Sequence, residues 1–340
     1  MEYGAIDLHL RSSVIRIVGE EGSVKLDRRI MTTREGLQRV FADRPAMRVL
    51  LETGTESEWV AQTVESYGHE VIVADPNYTL MYGHRQRRVK TDRRDVAALA
   101  EACRLGIYRR AHRASATQRQ VRRQLRVREQ LVRIRTQTIN LMRAQLRQEG
   151  YRLPAGTAET AGQRLGRLAL PPPLQAALAP LGAVLETVTP AIRAAERDAS
   201  AQAHADPVVS LLMTAPGIGP VTALAYRATL DDVRRFRDAG AATAFLGLVP
   251  SEDSSAERRQ KGRITKAGPR ALRALLVQAA WVVWRQRAKN GELQLWAHRL
   301  AARRGRRIAV VALARRLARI LFAMWRDQRT YCPTVTSSAA

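Results

Sequence analysis

The sequence predicts an α/β domain followed by a mainly helical region. Short runs rich in Ile and Val alternate with helical segments over the first 75 or so residues. From about residue 113 the chain changes to long stretches rich in Arg, Gln and Ala with helical periodicity. With 340 residues, 46% of them hydrophobic, the chain is long enough for two or three domains with buried cores.

The first domain, residues 1–112, is predicted to have three strands, a helix, a strand, a helix and a final strand. The turn "GEEGS" separates two of the early strands, which favours an antiparallel meander, and Thr33 is a candidate N-cap for the helix after it. This order is typical of the RNase H-like (RuvC-like) fold. The predicted strands are 3–9, 13–18, 24–31, 47–52 and 69–75, and the second helix is 57–67.

Residues 113–206 are predicted to form a long antiparallel coiled-coil arm. Apolar residues recur at three-, four- and seven-residue steps along 113–149, prolines interrupt the pattern, and 174–204 is again rich in Ala and Leu. A plain helical bundle is the alternative. In either arrangement the Arg-rich face, with Arg122, Arg126 and Arg133, is available to nucleic-acid phosphates.

Residues 207–330 are predicted to form a third, mainly helical domain, with a flexible tail at 331–340. The stretch "TAPGIGPVTALAY" places Gly217 and Gly219 in a turn between two helices. This pattern is typical of helix-hairpin-helix modules, where backbone amides hold a phosphate, although a tight helix-helix turn gives the same pattern. We expect a Ser-, Arg- and Lys-rich loop at 250–268 and three further helices to about 328.

The charge of the chain indicates a polyanionic partner. The formal net charge is +26 and the pI is about 11.4. Nucleic acid is the leading interpretation and an anionic membrane surface is the minor one. Cys103 and Cys332 lack the spacing of a disulfide or zinc framework, which fits a reducing bacterial cytoplasm. The N-terminus has no signal-peptide pattern, and arginines interrupt the apolar segment 308–325, so we expect no membrane span.

Four carboxylates are predicted to converge at one edge of the first domain's sheet. Asp7 lies within the first strand, Glu52 closes the fourth, and Asp92 and Asp95 lie on one face at the start of a helix. Such a cluster is stable mainly with a divalent cation, which predicts a Mg²⁺ site for phosphodiester chemistry. Either helix aspartate alone is also explained as an N-terminal cap. His9 shares the strand face of Asp7, which places it near the metal site, and without a partner motif it is interpreted as an ordinary polar neighbour.

Five motifs together resemble the DEDD insertion-sequence transposases that are guided by a bridge RNA. In chain order they are "GAIDLHL", "LLETGTESEWVA", "VKTDRRDVAALAE", "TAPGIGPVTAL" and "FLGLVPSEDSSAERRQKGRITKAGPRALRALLVQAAW". The resemblance implies a RuvC-like domain, a coiled-coil arm and a C-terminal transposase domain with a catalytic serine. It assigns the four acidic positions to Asp7, Glu52, Asp92 and Asp95. It also implies a guide RNA, donor and target DNA, and a homodimer that assembles into a tetramer, with the carboxylates and the serine meeting across subunits.

The serine position departs from the family pattern. The family usually has a Ser-Gly pair after "GLVP"; here Ser255 precedes Ala256, and Ser254 is the rival serine. Likewise "ETGTES" replaces the commoner Glu-Ala-Thr-Gly start and leaves Glu56 as a rival to Glu52. Cations around the serine are expected to hold DNA phosphates. These cations are Arg258, Arg259, Lys261, Arg263 and Lys266.

Three functions are consistent with these features. The first is an RNA-guided recombinase that uses Mg²⁺ and a serine nucleophile. The second is a metal-dependent structure-specific nuclease similar to a junction resolvase, in which water attacks and Ser255 is idle. The third is an RNA-binding scaffold with a decayed site. Covalent capture of the protein on cut DNA separates the first from the second, and any DNA cleavage excludes the third.

Overall fold

The computed structural model describes residues 1–82, 92–255, 258–285 and 291–332, with the backbone alone for 79, 253–255 and 258–261. The chain divides into two compact units, Met1–Arg113 and Ala114–Ala340. The boundary that the sequence predicts near residue 206 stays a prediction. Among the described residues, no helix has both the length and the apolar character needed to cross a membrane.

The first unit contains a five-stranded mixed sheet. The strand order is β3-β2-β1-β4-β5, with β1, β2 and β3 antiparallel and β1, β4 and β5 parallel. This confirms the predicted meander and element order, which is compatible with an RNase H-like domain. The strands are β1 Tyr3–Asp7, β2 Ser12–Val18, β3 Val24–Met31, β4 Arg48–Glu52 and β5 Glu70–Ala74.

Helices cover both faces of this sheet. They are α1 Arg34–Phe41, α2 Ser57–Glu65 and α3 Asp92–Leu105, with a short 3-10 turn at Thr79–Tyr82. Because successive strand residues point to opposite faces, Ile6 and Leu51 join the core beneath α1 and α2, whereas Ala5 and Leu50 join the core beneath α3. The Thr33 hydroxyl caps α1 by accepting from the Gly36 amide at 3.1 Å, which confirms the predicted N-cap.

The second unit is mainly helical. Its described helices are α4 Ala116–Gln148, α5 Ala161–Gly166, α6 Pro172–Ala205, α7 Pro207–Leu212, α8 Pro220–Leu230, α9 Ala239–Phe245, α10 Arg270–Arg285, α11 Gly291–Arg304 and α12 Arg306–Asp327. The two long helices, α4 and α6, pack on each other, and Ile139, Met142 and Leu185 lie in a small core beside α5. Val121, near the start of α4, belongs instead to the main core with α8, α10 and α12. The coiled-coil arm itself stays a prediction.

The prediction of a loop at 250–268 was wrong for most of that segment. The structure forms an antiparallel hairpin there, with β6 Pro250–Ser255 and β7 Arg258–Ile264. The segment has no alternating apolar residues, so the usual strand signal is missing from the sequence. At the base of the hairpin the chain after α9 lies close to the segment that leads into α10, a contact between distant residues that no local pattern predicts.

Candidate active site

Asp7 and Glu52 end two neighbouring parallel strands. The register pairs Ile6 with Leu51, so the next residues along β1 and β4, Asp7 and Glu52, lie side by side at the carboxyl edge of the sheet. Asp7 ends its strand; the prediction that the strand continues to residue 9 was wrong. Both carboxylates follow the face of Ala5 and Leu50, which is the face that α3 covers.

The first turn of α3 carries two further carboxylates to this edge. Asp92 opens the helix and Asp95 lies one turn further along. His9, two residues beyond the end of β1, joins them. Its Nε2 lies 3.4 Å from Asp7 Oδ2 and 3.8 Å from Asp92 Oδ1, and the three donor atoms that Asp7, His9 and Asp92 offer all lie within 4.8 Å of one another.

The pKa values of the two paired aspartates shift in opposite directions. Burial raises the pKa of Asp7 above 3.8; His9 opposes this shift, and the charges of Asp92 and Asp95 add to it. A hydrogen bond from Arg29 is the main cause that lowers the pKa of Asp92. Arg29 Nη2 donates to Asp92 Oδ2 at 2.7 Å, and its Nη1 donates to Ser12 Oγ at 3.2 Å. Asp92 is therefore held ionised beside an aspartate that resists ionisation.

Glu52 is engaged by Tyr82, whose hydroxyl donates to its carboxylate. The rival Glu56 stands at the N-cap of α2, where its carboxylate accepts a hydrogen bond from the indole of Trp59. Glu56 is thus bound locally to its own helix, whereas Glu52 lies beside Asp7 at the strand end. This placement supports Glu52 as the acidic residue of the cluster.

The donor set at this edge fits a divalent cation. Asp7 and Asp92 supply carboxylate oxygens, which are hard donors, and His9 adds a ring nitrogen. The side chains of His9 and Asp92 are 50% and 41% exposed, so one side of the cluster is open to solvent and to a phosphate. The alternation of strand residues places His9 on the face of Asp7, but it does not predict that His9 contacts both aspartates.

The candidate serine lies at the tip of the β6-β7 hairpin. Ser255 ends β6 and pairs through its backbone with Arg258, and Ser254 pairs with Arg259. The side chains of both serines and of Arg258, Arg259 and Lys261 lie outside the described part of the structure. Arg263 and Lys266, nearer the base, are exposed. That these cations hold DNA phosphates around the serine stays a prediction.

The base of the hairpin is tightly built. Gly247 and Gly268 have φ of +67° and +81°, and a Cβ on either would lie 2.0 Å from a backbone oxygen, that of Ala267 or Phe245. Arg273 Nη1 donates to the carbonyl oxygens of Leu246 at 3.0 Å and Ala267 at 3.1 Å. These contacts join the end of α9 to the chain entering α10, so the hairpin has a fixed anchor.

Comparison with known proteins places both units in one family. A DEDD-type model of IS110 elements, described as a transposase, matches residues 5–150, and the model described as "Transposase IS116/IS110/IS902 family" matches residues 209–294. A probable family 20 transposase of Pseudomonas aeruginosa is 31% identical over 340 residues, which is 98% of this chain and 100% of that protein. The chain belongs to the IS110/IS116/IS902 family of transposases.

Two further relatives carry the names of mobile elements. The transposase for insertion sequence element IS1328 of Yersinia enterocolitica is 30% identical and covers 93% of this chain and 94% of its own length. The transposase for insertion sequence element IS1111A of Coxiella burnetii is 32% identical and covers 71% and 68%. An insertion-sequence transposase acts on DNA, and the strongly basic composition of this chain is suited to that polyanion.

Arg122 differs in its surroundings from the other predicted phosphate-binding arginines of the transposase. Arg122 donates to the carbonyl oxygens of Ala228 at 2.7 Å and Thr229 at 3.1 Å, at the end of α8, and burial lowers its pKa. A half-buried guanidinium that satisfies helix carbonyls has a structural role, which counts against a phosphate contact at Arg122, although that contact stays a prediction. Arg126 and Arg133 are exposed and remain candidates.

The Gly-Ile-Gly turn of the transposase packs against its own core. Gly217 has φ of +73°, and a Cβ there would lie 2.7 Å from the Ala279 carbonyl oxygen of α10. Ile218 is buried, whereas Gly219, at the N-cap of α8, has open space around it. The glycine at 217 is thus explained by close helix packing. A phosphate contact at Gly219 stays a prediction.

Proposed function

We propose that this transposase cuts and rejoins DNA strands through a metal-binding acidic cluster and the nucleophile Ser255, with a guide RNA supplying sequence choice. The observation that supports this proposal most directly is the convergence of Asp7 and Asp92 from a strand end and a helix start. Two carboxylates 85 residues apart along the chain, in a family that moves DNA, fit a site for phosphodiester chemistry.

In this proposal the carboxylates of Asp7, Glu52, Asp92 and Asp95 hold Mg²⁺ or a related ion. A bound divalent ion neutralises charge on the phosphate and lowers the pKa of an attacking hydroxyl. Arg29 keeps Asp92 ionised and oriented by its 2.7 Å hydrogen bond. Tyr82 orients Glu52 in the same way, by donating a hydrogen bond from its hydroxyl to the Glu52 carboxylate. These contacts preorganise the cluster before DNA arrives.

Ser255 then forms a covalent link to DNA. A bond forms between its Oγ and the phosphorus, the phosphorus-oxygen bond of the DNA backbone breaks, and the serine proton passes in net terms to the leaving DNA oxygen. In the second step a hydroxyl of another strand attacks the same phosphorus and the serine recovers its proton. Because each step exchanges one phosphate ester for another, rejoining needs no external energy source.

A guide RNA is the proposed source of specificity because the chain's own charge is suited to backbones. The net charge of +26 and exposed arginines such as Arg126 and Arg133 attract phosphates regardless of sequence. Base pairing by RNA would choose the donor and target DNA, while the protein supplies phosphate contacts and chemistry. Sequencing the RNA that co-purifies with the transposase tests this part separately.

The serine is tested with labelled DNA and its guide RNA in Mg²⁺, followed by denaturing gels after brief reaction. Wild type is expected to give a shifted, protease-sensitive band. Ser255→Ala should lose both the cut and this band, whereas the matched control Ser254→Ala should retain both. Cutting by Ser255→Ala without any protease-sensitive band would replace the recombinase with a nuclease that uses water. No cutting by wild type under any divalent ion would favour the scaffold.

A further inference from the structure

His9 has no assigned role in the proposed chemistry, yet it lies between the two best-placed carboxylates. Its Nε2 lies 3.4 Å from Asp7 Oδ2 and 3.8 Å from Asp92 Oδ1. We propose that His9 is a direct metal ligand, and that the site therefore binds a divalent transition ion such as Mn²⁺ more tightly than Mg²⁺. This inference rests on the proposed function, which needs a metal on Asp7 and Asp92.

The spacing of the donor atoms suits one shared ion. With metal-ligand bonds of about 2.1 Å, two ligands at a right angle are about 3.0 Å apart and two at a tetrahedral angle about 3.4 Å apart. The distance from His9 Nε2 to Asp7 Oδ2 equals the tetrahedral value, and the distance to Asp92 Oδ1 is 3.8 Å. All three atoms lie within 4.8 Å of one another, and one ion can contact all of them once each pair is within about 4.2 Å, twice the bond length.

His9 differs from a histidine that serves the core. His69 of the same unit is buried, its Nδ1 accepts from the Met47 amide and its Nε2 lies 2.9 Å from the Phe41 carbonyl oxygen, so both ring nitrogens are used by the backbone. The His9 ring is half exposed and its Nε2 faces carboxylates. A ring in that position is accessible to an ion from solvent.

Arg29 binds one carboxylate oxygen of Asp92, and the other oxygen is available to this ion. The guanidinium occupies Oδ2, and Oδ1 is the atom that faces His9. A neighbouring donor that occupies one carboxylate oxygen orients the other, as is common around metal ligands. The half-exposed side of the cluster leaves further positions for water or a DNA phosphate oxygen.

The nitrogen donor determines which divalent ion the site binds more tightly. Mg²⁺ is bound mainly by carboxylates, phosphates and retained water, whereas imidazole is a good ligand for transition ions. An imidazole added to two carboxylates therefore increases the affinity for Mn²⁺ while changing that for Mg²⁺ little. The site would still perform the phosphodiester chemistry, because Mn²⁺ also accepts phosphate oxygens.

The experiment measures Mn²⁺ binding to the full chain by the loss of the free-ion electron paramagnetic resonance signal, with and without competing Mg²⁺. His9→Ala should weaken Mn²⁺ binding about tenfold or more, since even residues that only support metal ligands contribute about 10- to 100-fold. Its Mg²⁺ affinity should change much less, because Mg²⁺ is bound mainly by oxygen ligands. His204→Ala is the matched control, because His204 is an exposed histidine of the second unit. Wild type should also show ¹⁴N coupling to bound Mn²⁺.

The outcomes separate this inference from the proposed function. If Asp7→Asn weakens Mn²⁺ binding but His9→Ala does not, and wild type lacks ¹⁴N coupling, His9 is not a ligand while the metal site stands. If neither variant changes binding, there is no metal site at this edge and the proposed function fails with the inference. Equal losses of Mn²⁺ and Mg²⁺ affinity in His9→Ala would overturn the metal preference. The ¹⁴N coupling needs no variant, so a folding defect does not prevent a decision.

Discussion

Arg29 Nη2 donates to Asp92 Oδ2 at 2.7 Å and so joins strand β3 to the first turn of α3. The two residues are 63 positions apart, and Arg29 also donates to Ser12 of the neighbouring strand. Arg29 thus contributes to the acidic cluster without belonging to it. Because both side chains are exposed to solvent, we expect the pair to contribute little to the stability of the fold and to act mainly on the orientation of Asp92.

Arg29→Gln should weaken divalent-metal binding about tenfold. Removing a positive charge near the site slightly favours binding of the metal ion. Losing the orientation of Asp92 weakens binding, and this should be the larger effect. The pKa of Asp92 should rise toward 3.8, because the hydrogen bond from Arg29 is the main cause of its lowering. Calorimetric metal titration measures the affinity. Arg28→Gln is the matched control, since it removes the same charge from the opposite face of β3.

Asp7→Asn should abolish strand exchange while stabilising the metal-free fold at pH 7. Burial and the neighbouring aspartates raise the pKa of Asp7, so its ionised form destabilises the folded state. This penalty is absent below pH 3.8, grows as pH rises through the raised pKa, and is complete above it. We expect a gain of about 1 kcal/mol or less at pH 7 with chelator present, and a smaller gain near pH 4.

Thermal unfolding in chelator at both pH values measures this effect. Nucleic-acid binding should stay near wild type, because the change removes no phosphate contact. The same stability difference at pH 7 and pH 4 would show that the ionisation of Asp7 is not its cause. Full recombination by Asp7→Asn in Mg²⁺ would remove Asp7 from the metal site.

Most of the first unit could be predicted from the sequence because its signals are local. Alternating apolar residues, short turns and a Thr N-cap define the strands and α1 within a few residues. The edge position of Glu52 follows from the parallel pairing of β1 and β4. The contacts of His9 could not be predicted in this way, because they depend on the direction the chain takes after Asp7 and on where α3 begins.

The features of the second unit that the sequence did not predict depend on distant residues. Arg122 looks like its exposed neighbours along α4, and its burial depends on carbonyl oxygens more than 100 positions later. The β6-β7 hairpin has no strand pattern, and its base depends on the close approach of Gly247 to Ala267. Local periodicity carries no information on either contact.

The exposed arginines of α4 should control the salt dependence of nucleic-acid binding. Changing Arg126 and Arg133 together to Gln should reduce the slope of log affinity against log salt by about 1.8 for duplex DNA, or about 1.4 for a single strand. Filter binding from 50 to about 200 mM salt measures the slope. Arg128→Gln is the control, because Arg128 is mostly buried in its pair with Glu196 of α6, whereas Arg133 stays exposed beside Glu129, 3.6 Å away. An unchanged slope in the double variant would mean that these arginines are only solvated.

Arg122→Ala should lower stability and leave that slope unchanged. The substitution removes two hydrogen bonds to the last carbonyl oxygens of α8, and an unsatisfied buried polar group costs about 1 to 3 kcal/mol. Chemical denaturation of the full chain measures the loss. A flattened salt slope with unchanged stability would instead return Arg122 to the phosphate-binding surface.

The anchor of the serine hairpin should be the most sensitive part of the second unit. Gly247→Ala combines a φ of +67° with a Cβ 2.0 Å from the Ala267 oxygen, a clash that only backbone movement relieves. We expect a loss of more than about 2 kcal/mol and faster amide exchange in 250–264. Gly219→Ala, with negative φ and open space, should be tolerated.

Arg273→Ala is a milder test of the same anchor, since it removes hydrogen bonds to the Leu246 and Ala267 carbonyls without a clash. If hydrogen exchange in the hairpin accelerates in Arg273→Ala while global stability changes little, the anchor acts locally, and strand cleavage should fall in the same variant. Unchanged exchange in both Gly247→Ala and Arg273→Ala would show that the hairpin does not depend on this base.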